Sequence, residues 1–195
     1  MKKVILSTKN KSKVKEFNEL MSKYGYNVVS RDEAGVPDVE IVEDGETFEE
    51  NSFKKANEIM KLAGEITVAD DSGLMVDALD GAPGVYSARF AGGRDDDENN
   101  EKVLELMKDV PQEQRGAKFV CVITMCSPDG SVVVARGECH GSIGYEVRGT
   151  NGFGYDSIFI PDGFDRTFAE FSSEAKNSMS HRARALAALE AKLEK

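Results

Sequence analysis

The sequence predicts an α/β protein, because strand-like and helix-like segments follow one another along the chain. Residues 3–7 form a short apolar, strand-like run, and apolar side chains then recur at helical spacing over residues 14–24. Residues 119–126 and 132–139 are two further apolar runs, and the Ser-Pro-Asp-Gly-Ser turn between them is typical of a β-hairpin. No segment is long enough to act as a linker, so we expect a single domain over residues 1–195.

The remaining elements follow in chain order. A strand is expected at residues 27–30. Thr47, with Glu50 three residues later, matches a capping box that starts the next helix. Helical spacing returns over residues 99–108, after an acidic stretch that suits the N-terminus of a helix. The last helix is expected to begin after Ser180, which has the side chain of an N-cap residue.

Two adjacent carboxylates, Asp70 and Asp71, follow the short apolar run at residues 66–69. We predict that this run is a buried strand that ends there and delivers both carboxylates to the C-terminal edge of the sheet. Open α/β sheets bind their ligands at that edge. The alternative is a turn before Gly73, in which the two side chains bond to nearby backbone N–H groups.

A polar turn between the first strand and the first helix carries hydroxyl, amide and lysine side chains. Free backbone N–H groups and the helix dipole favour a phosphate at such a helix N-terminus. The turn lacks the glycines of a Walker A loop, and the alternative is an ordinary capped helix start with exposed lysines. The candidate phosphate-binding residues are Thr8, Lys9, Asn10, Lys11, Ser12 and Lys13.

Glu50 and Asp71 are candidate ligands of Mg²⁺. A carboxylate in the first turn of a helix and another at a strand end can converge on this ion, which takes oxygen ligands and keeps waters for substrate phosphates. The alternative is that Glu50 only caps its helix. Two histidines give little support for a transition metal. Cys121, Cys126 and Cys139 lack the spacing of metal ligands, so we expect buried free thiols.

Residues 152–156 combine glycine, aromatic and acidic side chains. Glycines on both sides of Phe153 let the backbone approach a ligand closely, and its ring offers a face on which a base can stack. The alternative places Phe153 in the core. Lys176, His181 and Arg182 lie near the start of the last helix, where the dipole disfavours cations unless a ligand accompanies them. The alternative for His181 is a structural role.

The overall charge and hydropathy exclude some classes of partner. The formal net charge of −10 argues against a general nucleic-acid-binding surface, which needs a basic footprint. No apolar run approaches the length of a membrane span, and residues 1–3 lead directly into a strand-like segment. We therefore expect a cytoplasmic protein that binds neither nucleic acid nor membrane.

Several of these motifs occur together in one known family. The chain resembles the inosine triphosphate pyrophosphatase family nearly from end to end, and the Asp-Asp-Ser-Gly block with the Gly-Ala-Pro-Gly that follows it is the most specific part. The matching blocks lie at residues 7–13, 47–51, 69–74, 81–89, 152–156 and 180–182.

The resemblance implies an enzyme that hydrolyses non-standard purine nucleoside triphosphates (ITP, dITP and XTP) to the monophosphate and pyrophosphate with Mg²⁺. It implies a two-lobed α/β domain around a long mixed β-sheet flanked by helices, an active site in the cleft between the lobes, and a homodimer. Asp71 would be the proton acceptor and, with Glu50, a metal ligand. The implied substrate-binding residues are the six of the polar turn together with Ser72, Phe153, Gly154, Tyr155, Asp156, Lys176, His181 and Arg182.

Three other functions are weighed against this one. A Maf-type nucleotide pyrophosphatase would prefer other bases. A phosphatase of the haloacid dehalogenase type would carry its two aspartates in an Asp-x-Asp pattern, whereas Asp70 and Asp71 are adjacent. A nucleotide-sensing module would use the same pocket without turnover.

Overall fold

The computed structural model describes residues 1–8 and 11–194, apart from the side chains of Lys11, Ser12, Glu16 and Leu20. The strands are β1 (Lys2–Leu6), β2 (Tyr26–Ser30), β3 (Thr67–Val76), β4 (Gly116–Cys126), β5 (Val132–Ile143) and β6 (Phe159–Pro161). Within the described residues they form one sheet in the order β2-β1-β3-β4-β5-β6. The sheet is mixed, because β1 pairs in parallel with β2 and β3, whereas β5 and β6 are antiparallel. The predicted α/β fold with a mixed sheet is therefore confirmed.

Capping side chains mark the start of several α-helices in the same residues, among them the two predicted caps, Thr47 and Ser180. The helices are α1 (Lys11–Met21), α2 (Phe48–Ala63), α3 (Asp96–Met107), α4 (Ser173–Met179) and α5 (His181–Leu193). Asp95 caps α3, since its carboxylate accepts hydrogen bonds from the backbone N–H groups of Asp97 and Glu98. Ser180 caps α5, accepting a hydrogen bond from the N–H of Ala183 at 3.2 Å.

Thr47 caps α2 as predicted, but the second half of the expected capping box differs. Thr47 Oγ1 accepts a hydrogen bond from the backbone N–H of Glu50 at 3.1 Å. The Glu50 carboxylate accepts its bond from the N–H of Glu46 at 2.7 Å, one residue before the partner that a capping box requires. The preceding N–H, of Gly45, donates to Asn51. The Glu50 carboxylate is therefore bonded to the N–H of Glu46 and not to that of Thr47, so the second bond of the predicted capping box does not form.

β3 extends well beyond the strand predicted at residues 66–69. Asp70 and Asp71 lie inside it and not after its end, so the predicted strand end and the alternative turn are both wrong. Leu74 and Val76, farther along β3, are fully buried in an apolar cluster of their own. This second cluster keeps the chain extended past the polar residues, an effect that the short apolar run does not reveal.

The chain divides into two compact units. We call them the first unit (Met1–Asp71, Cys121–Gly137 and Ala185–Lys195) and the second unit (Ser72–Val120 and Glu138–Arg184). β3, β4 and β5 each contribute residues to both.

In the first unit, helices cover both faces of the sheet. Val4 and Leu6 of β1 pack in one cluster with Phe17 of α1. Ile5, between them in sequence, packs in another cluster with Ile59 of α2. Since side chains alternate along a strand, α1 and α2 lie on opposite faces.

The core of the second unit is aromatic. The ring of Phe119 lies 4.6 Å from that of Phe159, and Phe159 lies 5.2 Å from Phe168, measured between ring centroids. Arg115 is also buried there, and its guanidinium donates to backbone carbonyls that include those of Met107 and Ile143, at 2.6 and 2.8 Å. These bonds tie the end of α3 to the end of β5.

Cys121, Cys126 and Cys139 are buried free thiols, as predicted. Burial raises the pKa of Cys126 and that of Cys139. No helix among the described residues combines the length and the hydropathy needed to span a bilayer.

Candidate active site

Asp70 and Asp71 point to opposite faces of β3, because side chains alternate along a strand. On one side, Lys13 of α1 places its Nζ 2.7 Å from Oδ2 and 3.0 Å from Oδ1 of Asp70. On the other side, Lys55 of α2 places its Nζ 3.1 Å from Oδ1 of Asp71. Each carboxylate therefore contacts a lysine from a different helix, and this offsets the repulsion between two adjacent negative charges.

Lys55 joins Asp71 to a second carboxylate, that of Glu43, whose Oε2 lies 2.9 Å from Nζ. Burial raises the pKa of Asp71, and the Lys55 ammonium opposes this effect without cancelling it. Burial alone would lower the pKa of Lys55, but Asp71 and Glu43 outweigh it, so the lysine stays charged. Oδ2 of Asp71 is buried and has no hydrogen-bond partner among the described residues. This oxygen is free to bind a ligand.

The sequence analysis singled out neither Lys55 nor Glu43. Lys55 reads as one of several polar positions on α2, and Glu43 precedes the helix in an irregular stretch. The contact of α2 with β3 brings Lys55 to Asp71, and Glu43 joins them by its contact with Lys55, so no local motif reveals either residue.

The carboxylates of the first unit supply the oxygen donors that Mg²⁺ prefers. Among the residues described, no group of three or more His, Cys, Asp or Glu side chains is arranged to hold a metal ion. An ion that keeps waters and binds substrate phosphates needs fewer protein ligands than that, and the unpartnered Oδ2 of Asp71 fits such an ion. Glu50 is exposed, with its carboxylate bonded to Glu46, and its pairing with Asp71 stays a prediction.

Two of the six candidate phosphate-binding residues, Thr8 and Lys13, have described side chains. Lys9 and Asn10 lie outside the described residues, as do the side chains of Lys11 and Ser12. Thr8 lies two residues after the end of β1, and its backbone N–H donates to the carbonyl of Leu6 at 2.7 Å. Lys13 lies in the first turn of α1, where Asp70 holds its ammonium group. Asp70 is thus a partner of Lys13.

The second unit contains a pocket of about 170 Å³. The predicted site residues of this unit all line it, and they come from β3, from the segment after β5 and from the neighbourhood of α4 and α5. They are Ser72, Phe153, Gly154, Tyr155, Asp156, Lys176, His181 and Arg182.

Phe153 forms an aromatic wall of this pocket. The residue is 64% exposed, so the alternative that places it in the core is wrong. Lys176 Nζ lies 4.9 Å from the centroid of the ring and also forms an ion pair with Oδ2 of Asp156. A flat ring beside a cation and an acceptor suits a planar heteroaromatic ligand.

Two polar atoms in this pocket have unmet hydrogen-bonding capacity. Within the described part of the chain, Ser72 Oγ and Arg182 Nε are buried without a hydrogen-bond partner. Buried polar groups are normally paired, so a bound ligand is a natural partner for both. His181, beside Arg182, is buried and stacks on Phe119 with a centroid separation of 4.8 Å. It therefore has the packed position of a structural histidine and also lines the pocket.

Further lining residues were missed by the sequence analysis, among them Phe119, Ser87 and Asp96. Ser87 links β3 to Tyr155. Its Oγ accepts a hydrogen bond from the backbone N–H of Leu74, and its carbonyl accepts one from the hydroxyl of Tyr155 at 2.7 Å. Burial raises the pKa of Tyr155 and Asp96 raises it further, which keeps the phenol protonated as a donor. Residues 81–89 form one of the blocks that match the family, but their local sequence does not indicate this contact.

Together these features define an α/β protein whose side chains suit a ligand with an anionic part and an aromatic part. Comparison with known proteins then gives the family: the chain belongs to the Ham1 family, whose model matches residues 4–192.

The relatives confirm the predicted resemblance. The chain is 50% identical over 193 residues to a dITP/XTP pyrophosphatase of Clostridium perfringens, covering 95% of this chain and 94% of that protein. It is 52% identical over 186 residues to a dITP/XTP pyrophosphatase of Desulforamulus reducens, covering 94% and 92%. The solved structure of the Staphylococcus aureus Ham1 protein superposes with a TM-score of 0.93 at 40% identity, covering 99% of this chain and 98% of that one.

Proposed function

We propose that this protein hydrolyses non-standard purine nucleoside triphosphates, namely dITP, XTP and ITP, to the nucleoside monophosphate and pyrophosphate. The main support is the pocket of the second unit, where Phe153 presents a ring face beside Lys176 and Arg182. Relatives about half identical to the chain are dITP/XTP pyrophosphatases, which favours the same substrates here.

The chemistry assigned to the first unit is attack of water on the α-phosphorus. A bond forms between the water oxygen and this phosphorus, the bond to the bridging oxygen breaks, and its electron pair leaves with pyrophosphate. Asp71 accepts the proton of the attacking water, the role that the family resemblance implies for this largely buried carboxylate. Such a reaction depends on positioning and charge stabilisation, so it needs no covalent nucleophile.

Positive charge for the phosphates comes from the polar turn and α1. Lys13, held by Asp70, is the cation whose position is best supported. Thr8, Lys9, Asn10, Lys11 and Ser12 are proposed to add hydroxyl, amide and ammonium groups at the helix N-terminus, where backbone N–H groups favour an anion.

Mg²⁺ is the proposed cofactor, held by Asp71 and a second carboxylate. Glu50 is the partner that the sequence predicts, and Glu43 is the alternative that its contact with Lys55 favours. When bound, the ion would draw charge from the phosphates and make the α-phosphorus more electrophilic.

We further propose that both units act on one substrate molecule, bound in a cleft between two lobes of a single domain. The family resemblance supports this arrangement.

Base selectivity is assigned to hydrogen-bond matching. Hypoxanthine and xanthine present a carbonyl oxygen where adenine presents an amino group. Arg182 is a donor, and its buried Nε has no partner among the residues described, so it favours the carbonyl. Adenine would leave two donors facing each other, at a penalty of about 1–3 kcal/mol per unpaired buried group.

A cytoplasmic homodimer is proposed as the working form. The family resemblance supports the dimer, and the charge and hydropathy of the sequence support the compartment. Light scattering after size-exclusion chromatography tests the assembly: a mass twice the 21.3 kDa of the chain agrees with a dimer, and the mass of one chain rules it out.

A panel of nucleoside triphosphates tests the function. The purified protein is incubated with Mg²⁺ and each of dITP, XTP, ITP and the standard triphosphates, and pyrophosphate and orthophosphate are measured separately. We expect pyrophosphate from the first three at the highest rates. Preference for another base would favour a Maf-type enzyme, release of orthophosphate a phosphatase, and tight ITP binding without hydrolysis a sensing module.

A further inference from the structure

The first two turns of α3 hold both polar backbone groups of Gly154, the residue that follows Phe153. The N–H of Gly154 donates to Oδ2 of Asp96 at 2.7 Å. Its carbonyl accepts a hydrogen bond from Nδ2 of Asn100 at 2.8 Å. The same Nδ2 donates to the backbone carbonyl of Asp96 at 2.7 Å, which fixes the orientation of the amide.

The backbone on either side of Gly154 is fastened as well. The N–H of Phe153 donates to Oδ2 of Asp156 at 3.0 Å, and the N–H of Asn151 donates to the carbonyl of Ala169 at 3.0 Å. Gly154 itself has a φ of +60°, in the left-handed region that favours glycine. Phe153 therefore combines a fixed backbone with a largely exposed ring.

Asn100 is a poor choice for stability alone. The residue is only 3% exposed, yet its Oδ1 has no hydrogen-bond partner within the described chain. An unpaired buried acceptor destabilises a protein, and an apolar side chain at this helix position would avoid that penalty. The Asn100 amide donates a hydrogen bond to the Gly154 carbonyl, and an apolar side chain could not donate one.

We propose that Asp96 and Asn100 are positioning residues that hold the Gly154 peptide and thereby set the Phe153 ring for purine binding. This proposal rests on the proposed function, in which the purine stacks on Phe153. Small misplacements of a positioned group weaken binding or catalysis strongly, and a ring that is already in place loses less conformational freedom when the ligand binds.

Asn100→Leu tests the proposal in the full-length protein. It removes the amide and its unpaired oxygen, but also the two bonds that Nδ2 donates to Gly154 and Asp96, so the thermal midpoint is measured alongside to separate stability from binding. We expect the KM for dITP to rise about two- to tenfold, the worth of one net hydrogen bond, with kcat within about twofold. Asn99→Leu is the matched control, because Asn99 is a buried neighbour on α3 that holds Ala91 instead; its KM should not change.

Asp96 offers a second test with a conservative rescue. Asp96→Ala removes the acceptor for the Gly154 N–H and should raise the KM, whereas Asp96→Asn keeps an acceptor oxygen and should stay within about twofold of the wild type. Because Asp96 also lies at the N-terminus of α3, the thermal midpoint is recorded alongside. Equal KM values for wild type, Asp96→Ala and Asn100→Leu would overturn the proposal.

Hydrogen exchange of the Gly154 amide separates this proposal from the proposed function. The amide should be protected in the wild type and in Asp96→Asn, and should exchange at least about tenfold faster in Asp96→Ala. If the wild type hydrolyses neither dITP nor XTP, the proposed function fails. The hydrogen-exchange rates of the three proteins still test whether Asp96 fixes the Gly154 peptide. Identical exchange in all three proteins would contradict the positioning role whatever the activity.

Discussion

Asp70 and Asp71 are consecutive residues of β3, yet Lys13 binds the carboxylate of one and Lys55 that of the other, from helices on opposite faces of the strand. The twofold alternation of side chains along a strand therefore gives two adjacent aspartates different surroundings. Asp70 holds a lysine that is proposed to bind phosphate, and Asp71 keeps an unpartnered oxygen within the described structure.

Asp71→Asn should separate turnover from binding. The amide is nearly the same size but cannot accept a proton, so we expect kcat for dITP to fall by about 100- to 10,000-fold. Calorimetry should show that dITP still binds. Asp70→Asn is the comparison: it loosens Lys13, so its smaller defect should appear mainly in KM. Activity of Asp71→Asn close to that of the wild type would remove this residue from the mechanism.

Glu43→Gln and Glu50→Gln identify the second metal-binding carboxylate. Glu43 already contacts the lysine that binds Asp71, whereas Glu50 is exposed and bonded to Glu46. We expect Glu43→Gln to raise the Mg²⁺ concentration for half-maximal activity by about 10- to 100-fold, and Glu50→Gln to raise it much less. The measurement is a Mg²⁺ titration of initial rates at saturating dITP. The reverse ranking would assign the role to Glu50.

Phe153→Ala should weaken substrate binding without weakening the fold. Stacking of a base on an aromatic side chain is worth about 1–3 kcal/mol, so the KM for dITP should rise about 5- to 150-fold. The exposed ring leaves no core cavity when it is removed, and the thermal midpoint should stay the same. Tyr145→Ala is the control, since this aromatic residue of the same unit is 59% exposed and lies outside the lining of the pocket. An equal change of KM in both variants would exclude stacking on Phe153.

Much of the fold and half of the site follow from local sequence. The caps at Thr47 and Ser180 and the turn between the two hairpin strands each reflect contacts within a few residues. The length of β3 does not, because Leu74 and Val76 are buried by side chains distant in the sequence. The same limit applies to the site.

Residues that carry a motif were predictable, and residues brought in by tertiary contact were not. Phe153 stands out between two glycines. Lys55 reaches Asp71 because α2 packs on β3, and Glu43 contacts Lys55 in turn. Ser87 meets Tyr155 through the fold of the second unit. Sequence spacing holds no information on such contacts.

The three thiols should be unreactive in the native protein. Burial raises the pKa of Cys126 and that of Cys139 above the ordinary value of 9.0, so little thiolate forms near neutral pH. A disulfide reagent should label none of the three cysteines natively and all of them in denaturant. As pH rises, these two thiols lose their protons in the unfolded chain before they do so in the folded protein, where their pKa is raised. Cys126 and Cys139 should therefore lower the free energy of unfolding only at pH values above the ordinary cysteine pKa. Rapid native labelling would contradict the buried thiols.

Hydrolysis of dITP in water labelled with oxygen-18 tests the central claim most directly. If water attacks the α-phosphorus, mass spectrometry of the products should find one labelled oxygen in the nucleoside monophosphate and none in pyrophosphate. Label in pyrophosphate would mean attack at the β-phosphorus, and labelled orthophosphate would mean removal of the terminal phosphate. Label in pyrophosphate would contradict attack at the α-phosphorus, and labelled orthophosphate would also contradict the proposed pyrophosphatase activity.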